Sequence, residues 1–236
     1  MTDTTPSAPG GGLGQVVFVK KADTLSIPQI FHFVDSTSLT QPEFLSAFIY
    51  RQISNPSMYS VYETRTGTRE MFLRNVERND LRDVLLLRDI EQDHLSKVLR
   101  SSIAWYSPIA RWQNRPDASR RHETSLIGVM RLKPGKEARE AVLKELSKLI
   151  EVVIRTQPAL RTSVVHESLD NPDSIMLYEE WSLSKEQFIA EELPKSYRAS
   201  FRKLTDGYFV FKQDLEWLTP MVKFENKFGR IEKTIL

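Results

Sequence analysis

The sequence predicts an α+β protein made of two tandem βαββαβ domains, and an internal repeat is the main observation behind this prediction. Residues 40–72 align without a gap with residues 156–188 at a constant offset of 116, and nine of the 33 aligned pairs are identical. The identical pairs include Asn55-Pro56 with Asn171-Pro172, and Tyr62-Glu63 with Tyr178-Glu179. A repeat of this length indicates a duplicated fold, because a unit that recurs along a chain recurs in the structure.

The order of elements in the second half supplies the βαββαβ plan. An apolar run at 125–132 predicts a strand, and apolar residues at steps of three and four predict an amphipathic helix at 136–154. The remaining predicted elements are strands at 160–167 and 174–181, helical segments at 184–193 and 195–204, and a last strand at 208–213. This order is the ferredoxin-like motif.

The first half predicts the same order with a shorter first helix and a longer second one. Its elements are strands at 15–21, 44–52, 58–64 and 103–111, with helices at 27–38 and about 80–100. The hairpin strands are apolar on both faces, so both faces are expected to be covered. Helices can cover one face and the sheet of the other half the second, which predicts a pseudo-dimeric α/β barrel within one chain.

The predicted domain boundaries follow the repeat. Residues 1–14 are rich in Gly, Pro, Ser and Thr and predict a disordered tail. The predicted remainder is a diverged ferredoxin-like domain at 15–112, a linker at 113–124, a second ferredoxin-like domain at 125–218 and a C-terminal extension at 219–236. Assembly is expected to be a monomeric pseudo-dimer, or a homodimer formed through helices or the extension.

Composition and charge exclude several classes of function. The 33 basic and 31 acidic residues are interspersed and give a net charge of +2. Because nucleic-acid binding needs a stripe of basic residues, we expect no nucleic-acid partner. The chain has no cysteine, and its four histidines show no metal-ligand spacing. Neither a phosphate-binding glycine loop nor a run of about 20 apolar residues is present. We expect a cytoplasmic protein with no metal or cofactor, no membrane partner and a small-molecule substrate.

Three stretches of the second half carry a family resemblance: Leu126 to Lys136, Tyr178-Glu179-Glu180-Trp181 before a helix, and Ser196 to Phe201. Together they resemble the antibiotic biosynthesis monooxygenase family of dimeric α/β-barrel proteins, over about 90 residues. The resemblance implies the ferredoxin-like fold and a barrel that single-domain members form by dimerising. The superfamily includes cofactor-free monooxygenases, haem-degrading enzymes, cyclases, isomerases and members without known activity. Glu191 and Glu192 stand where a haem ligand is expected, which disfavours haem degradation.

Two residues are candidate catalytic bases for such chemistry. His166 titrates near neutrality when unperturbed, although a satisfied or solvated histidine is the alternative. Glu179 lies among apolar neighbours, and the family resemblance also favours it as a base. The alternative is that Glu179 forms a structural salt bridge. Five further residues are candidates for binding the substrate, because of their repeat positions, their aromatic rings or an inward-facing helix position. They are Trp181, Tyr178, Tyr50, Arg65 and His32.

The leading functional hypothesis is a cofactor-independent monooxygenase-like tailoring enzyme for a small aromatic or polyketide-like molecule. One alternative is a cyclase or isomerase that uses the same cavity without oxygen. Another is a non-catalytic small-molecule-binding or scaffold protein. The two halves are chemically unequal, because Arg65 stands in the first half where Trp181 stands in the second. The site is therefore expected in the second half.

Overall fold

The computed structural model describes residues 16–21, 34, 43–71, 74, 103–114, 124–210, 214–227 and 230–236. The strands within these residues are β1 Val16–Lys21, β2 Phe44–Gln52, β3 Tyr59–Arg65, β4 Ile103–Gln113, β5 Thr124–Arg131, β6 Leu160–Ser168, β7 Ser174–Trp181, β8 Asp214–Lys227 and β9 Arg230–Ile235. The helical segments are α1 Lys136–Thr156, α2 Lys185–Gln187, a π-helix Phe188–Glu192, α3 Ser196–Thr205 and a 3₁₀ turn Asp206–Tyr208. None of the helices in the described ranges is long and apolar enough to cross a membrane.

The chain divides into two compact units. Unit 1 comprises Met1–Gly10 and Pro108–Thr219, and unit 2 comprises Gly11–Ser107 and Pro220–Leu236. The boundaries fall within β4 and β8, so each of these strands contributes residues to both units.

Unit 1 has the predicted βαββαβ order. Its strands are antiparallel, and β5 to β8 lie in the order β6-β7-β5-β8. The predicted helix at 136–154 is confirmed as α1, and the predicted hairpin is confirmed as β6 and β7. Helices on an antiparallel sheet in this strand order make the unit an α+β, ferredoxin-like fold.

The strand predicted at 208–213 is wrong for residues 208–210. Tyr208 belongs to the 3₁₀ turn, and Phe209 makes one isolated bridge to Leu132. The last strand of unit 1 begins instead at Asp214 and continues to Lys227. Its buried residues recur at even steps, as a strand requires, with Leu218, Val222 and Phe224 all almost inaccessible.

Unit 2 shows the same strand order in its described residues. Strands β1 to β4 lie in the order β2-β3-β1-β4, and β1 pairs antiparallel with both β3 and β4. The C-terminal part of β8 pairs with β9 in a hairpin, and the Asn226 side chain donates a hydrogen bond to the carbonyl of Phe44. The predicted helices at 27–38 and 80–100 lie outside the described residues, except for Val34.

The hairpins of the two units share one register at the offset of 116. Phe48 pairs with Tyr62 in unit 2, and Val164 pairs with Tyr178 in unit 1. The equivalent backbone hydrogen bonds at the turns are Met58 N to Asn55 O (2.9 Å) and Ser174 N to Asn171 O (3.0 Å). Those at the hairpin ends are Thr66 N to Glu43 O (2.8 Å) and Ser182 N to Ala159 O (2.9 Å). The two Asn-Pro turns are therefore equivalent, as the repeat predicts.

An equivalent β-bulge near the start of each hairpin changes which residues share a face. The register shifts between Leu160 and Thr162 in unit 1, and between Phe44 and Ser46 in unit 2. Uninterrupted alternation along β6 would place Leu160 on the face of His166, but the bulge places Leu160 opposite Trp181. A bulge inserts one extra residue and so reverses the alternation on one side of it.

The sheet of unit 1 therefore has two distinct faces. The helix face packs against α1 and α3 and carries Leu160, Ser163, Val165, Leu177, Glu179 and Trp181. The second face carries Thr162, Val164, His166, Met176, Tyr178 and Glu180. The core of unit 1 lies on the helix face, where Val142 and Leu146 of α1 and Phe201 of α3 meet Leu177 and Trp181.

Candidate functional site

Glu179 and Trp181 lie next to each other on the helix face of β7. Because residues two apart in a strand point the same way, their side chains meet, and Trp181 Nε1 donates a hydrogen bond to Glu179 Oε2 at 3.1 Å. Both are buried, with Glu179 1% and Trp181 0% exposed. Glu179 and Trp181 therefore share one buried face of β7 and are in direct contact.

A π-helical turn covers these two residues. The turn follows the capping box at Ser184 and Gln187, and Leu193 N donates to Phe188 O at 2.9 Å across five residues. Phe188 and Glu192 of this turn are both buried, and the Phe188 ring meets Trp181 edge-on with centroids 5.0 Å apart. Single π turns within helices are rare and occur often at functional sites.

Arg198 of α3 connects the two carboxylates. Its Nε donates to Glu192 Oε1 at 2.9 Å, and its Nη2 lies 4.0 Å from Glu179 Oε2. The guanidinium carbon lies 4.8 Å from the Phe188 ring centroid and 5.7 Å from that of Trp181. Nη2 is buried and has no hydrogen-bond partner. We call Glu179, Trp181, Glu192, Tyr197 and Arg198 the acid–arginine cluster.

The cluster contains two carboxyl groups and one guanidinium, so one carboxyl is less well compensated. The Tyr197 hydroxyl lies 2.8 Å from both oxygens of Glu192 and shares its single hydrogen bond between them, and Arg198 donates a second hydrogen bond to Glu192. Burial raises the pKa of Glu179, and the charge of Glu192 adds to this, while Arg198 and the Trp181 hydrogen bond oppose it. Burial and Glu192 raise the pKa of Tyr197 to about 12. Glu179 therefore has the proton affinity that suits a base, and Tyr197 stays a neutral donor.

His166 lies on the second face of the sheet, away from Glu179. It is fully buried, and its Nδ1 lies 3.4 Å from the carbonyl oxygen of Met176. Burial lowers its pKa from 6.5 to about 3, although hydrogen bonds with the backbone of Met176 and Val164 act in the opposite direction. A neutral imidazole with so low a pKa is a weak base, and the structure does not bring His166 and Glu179 together.

Protonation of His166 is expected to destabilise the protein in acid. A buried histidine whose pKa falls on folding contributes stability above its unfolded pKa and loses it as the pH falls. The pKa of His166 is about 3 in the folded state and 6.5 in the unfolded state. Its contribution to the free energy of unfolding therefore falls by about 2 kcal/mol between pH 7 and pH 5. Urea unfolding at both pH values should show this loss in the wild type, and His166→Gln should lack it. Equal losses in the two proteins would contradict the buried, neutral state.

The other predicted binding residues divide between the units. Tyr178 is buried on the second face of unit 1, where its hydroxyl donates to Glu180 Oε1 at 2.7 Å. Tyr50 is buried in unit 2 and stacks on Phe48 at 5.7 Å between centroids. Arg65 is buried and forms an ion pair with Glu63, with Nε 2.8 Å from Glu63 Oε1. His32 lies outside the described residues. Of the predicted residues that the structure describes, Glu179 and Trp181 are in direct contact on the helix face, and His166 and Tyr178 share the second face.

The sequence analysis missed Glu192, Tyr197 and Arg198 as site residues. Tyr197 and Arg198 belong to one of the stretches that carry the family resemblance, but they received no role. Arg198 and Phe201 are three residues apart and both buried, a spacing that could have indicated an inward-facing arginine. The described residues contain no group of three or more His, Asp or Glu placed to hold a metal ion.

The comparison with protein families supports the predicted resemblance. Residues 125–188 match the model of the antibiotic biosynthesis monooxygenase family. The predicted resemblance is confirmed for this segment. It extends from β5 to the start of the π-helix, so it includes Glu179 and Trp181 but not Glu192, Tyr197 or Arg198.

Solved structures resemble nearly the whole chain at low sequence identity. An anthrone oxidase-like protein is 10% identical with a TM-score of 0.61, covering 96% of this chain and 98% of its own. A monooxygenase-like protein from Listeria innocua is 8% identical with a TM-score of 0.54, covering 89% and 94%. A ferredoxin fold protein from Listeria monocytogenes, related to antibiotic biosynthesis monooxygenases, is 8% identical with a TM-score of 0.54, covering 89% and 95%. These likenesses show the fold. The search of curated proteins found no match.

Proposed function

We propose that the chain is a tandem duplication and acts as a cofactor-independent monooxygenase on a small, flat aromatic or polyketide-like molecule bound in unit 1. The duplication is supported by the equal strand orders, the equivalent bulges and the hairpin contacts that recur at an offset of 116. Independent origins would not be expected to preserve turn, bulge and register together. The closure of both units into one barrel stays a prediction.

The observation that carries the proposed activity is the contact between Glu179 and Arg198. Oxygenation without a cofactor needs a base, a donor for the anion that the base creates, and an apolar enclosure. Glu179 has a raised pKa, Arg198 Nη2 has no hydrogen-bond partner, and the rings of Trp181 and Phe188 flank the guanidinium. The cluster therefore contains all three requirements within one unit.

The reaction can be written for a substrate with an acidic CH₂ next to a conjugated ketone. Glu179 takes one proton, and Arg198 stabilises the negative oxygen of the resulting enolate. The carbanion transfers one electron to O₂, and the two radicals combine to form a carbon–oxygen bond. Protonation gives a hydroperoxide, which loses water to leave a new carbonyl. One O₂ is consumed for each substrate molecule, which supplies the electrons itself.

The comparisons support this class of substrate. The matched family model describes antibiotic biosynthesis monooxygenases, and one structural relative is an anthrone oxidase-like protein. Anthrone is a flat three-ring ketone with an acidic CH₂, so it has the chemistry that the cluster can activate. It is therefore a reasonable first substrate for this chain.

A cyclase or isomerase is the second candidate. Proton abstraction by Glu179 and stabilisation of the anion by Arg198 are complete without oxygen, so the same contact serves both reactions. A non-catalytic binding protein is favoured instead if the 4.0 Å approach of Glu179 and Arg198 is purely structural.

Oxygen uptake with anthrone distinguishes these candidates. An oxygen electrode, with chelator present, should record one O₂ consumed per anthrone at a rate well above autoxidation. As a matched control, 10,10-dimethylanthrone has no acidic CH₂ and should consume none. Consumption of the substrate without oxygen would favour a cyclase or isomerase, and no consumption of any flat enolisable ketone would contradict an enzymatic role.

A further inference from the structure

Several buried polar side-chain atoms of unit 1 have no hydrogen-bond partner. In the described part of the chain, four side-chain atoms are of this kind: Ser60 Oγ, Trp112 Nε1, Ser163 Oγ and Arg198 Nη2. Buried polar groups are normally paired, so each exception needs a physical explanation. The last three lie in unit 1.

Two of these atoms flank Glu179. Ser163 of β6 pairs directly with Glu179 of β7 and is completely buried. Side chains of directly paired residues lie on the same face, with Cβ atoms about 4.5–5.5 Å apart. Arg198 Nη2 lies 4.0 Å from Glu179 on the helical side. Two unpaired polar groups therefore converge on one carboxylate from the strand and from the helix.

The chemistry of these atoms defines the ligand. A serine hydroxyl can donate one hydrogen bond, and a guanidinium nitrogen can only donate. Trp112 Nε1, in the same hydrophobic core, can also only donate. Donors of this kind are satisfied by acceptor oxygens, and an anionic oxygen is the strongest partner for an arginine.

We infer that unit 1 binds a planar ligand with two neighbouring oxygens, a ketone beside a phenolate or enolate, in which Arg198 holds the anionic oxygen and Ser163 the other. This inference rests on the proposed function for its location and adds the class of substrate. Ser163 is then a specificity residue, which selects ligands with a second oxygen.

Unit 2 lacks this arrangement. At the offset of 116, Ala47 occupies the position of Ser163 and pairs directly with Glu63. Arg65 occupies the position of Trp181 and forms a buried ion pair with Glu63. In the described residues of unit 2, the equivalent carboxylate has an internal cation, and its directly paired neighbour carries no hydroxyl. We therefore expect one ligand per chain.

Access to the site requires the helical cover to move. Ser163, Glu179 and Trp181 are all buried, and Phe188 and Arg198 of the segment Lys185–Tyr208 lie against Trp181 and Glu179. This segment comprises α2, the π-helix, α3 and the 3₁₀ turn. Ligand binding should therefore displace this segment, and limited proteolysis within it should become faster when the ligand is bound.

Binding of 1-hydroxyanthraquinone tests the inference without turnover. This molecule carries a hydroxyl beside a ketone, and it has no CH₂ left to oxidise. Calorimetry should show one molecule bound per chain, and anthraquinone, which lacks the hydroxyl, should bind about tenfold or more weakly because one charge-assisted hydrogen bond is lost. Ser163→Ala and Arg198→Lys should each weaken the binding of 1-hydroxyanthraquinone by about tenfold.

Ser60→Ala is the matched control, because Ser60 is an equally buried serine in unit 2 with an unpaired Oγ. It should leave the affinity unchanged. Ser163→Ala should fold normally, since its hydroxyl has no partner to lose, and urea unfolding can verify this. Wild-type affinity in Ser163→Ala, or equal affinity for anthraquinone, would overturn the inference. Tight, Ser163-dependent binding without oxygen uptake from anthrone would instead overturn the proposed oxygenation alone.

Discussion

Glu179→Gln is expected to lower the turnover of anthrone by about 10²–10⁴-fold, the usual contribution of a general base. Gln keeps the size of the side chain and can still accept the hydrogen bond from Trp181, but it cannot take a proton. Initial rates of oxygen uptake at pH 7 measure the effect. Glu180→Gln is the control on the same strand, because Glu180 lies on the opposite face and should leave the rate close to that of the wild type.

Stability separates the catalytic role of Glu179 from a structural one. Because burial raises its pKa in the folded state, protonated Glu179 contributes stability that is fully present below its unfolded value of about 4.5 and is lost as the pH rises through the folded value. Gln mimics the protonated form at every pH. Glu179→Gln should therefore be at least as stable as the wild type at pH 7. A less stable variant with full activity would identify a structural ion pair instead.

Arg198→Met is expected to lower the free energy of unfolding by about 3–5 kcal/mol, because removing one partner of a buried ion pair leaves an uncompensated charge. Glu192 would lose its only ion-pair partner in the described structure. Glu179 would lose the cation that lies 4.0 Å from it. Urea unfolding at neutral pH measures the loss. Arg202→Met, an exposed arginine of the same helix, should change stability by less than about 0.5 kcal/mol.

The double variant Arg198→Met, Glu192→Gln refines this expectation. If the loss arises from the uncompensated carboxylate, neutralising Glu192 should recover part of it. Exposed ion pairs contribute less than about 1 kcal/mol. If Arg198→Met lowers the free energy of unfolding by less than this, Arg198 does not stabilise the packing of α3 against the sheet.

Most of the fold of unit 1 was predictable because its signals are local. The helix α1 follows a clear period of three and four residues, and its buried side chains are those that the period selects, from Ala138 to Val153. The hairpin turn follows from Asn171-Pro172, where the Asn171 Oδ1 accepts a hydrogen bond from Asp173 N at 3.0 Å. The repeat then carried the same prediction to unit 2.

The features that the sequence did not predict depend on contacts distant in the chain. The bulge at Leu160 adds one residue to β6 against β7, and no residue type marks it, so alternation along the sequence assigns Leu160 to the wrong face. The last strand begins at Asp214 rather than 208, and its buried even-numbered residues continue well past Trp217. Its length is set by pairing with β5 at one end and β9 at the other.

The site was predicted in part for the same reason. Glu179 and Trp181 meet because they are two apart in one strand, which sequence spacing reveals. Arg198 reaches Glu179 only because the π turn and the break at Pro194 orient α3 against the sheet. Ser163 reaches the same carboxylate through strand pairing. The spacing of Arg198 and Phe201 indicates an inward-facing arginine, but nothing in the local sequence identifies Glu179 as the residue that Arg198 and Ser163 approach.

We propose that this chain itself inserts oxygen from O₂ into a carbanion formed at Glu179. Mass spectrometry of the product after turnover of anthrone under ¹⁸O₂, in ordinary water with chelator present, tests it most directly. We expect anthraquinone with one ¹⁸O atom, formed by the wild type and suppressed in Glu179→Gln. Product that contains only oxygen from water, or ¹⁸O incorporation that is equally fast in Glu179→Gln, would contradict it.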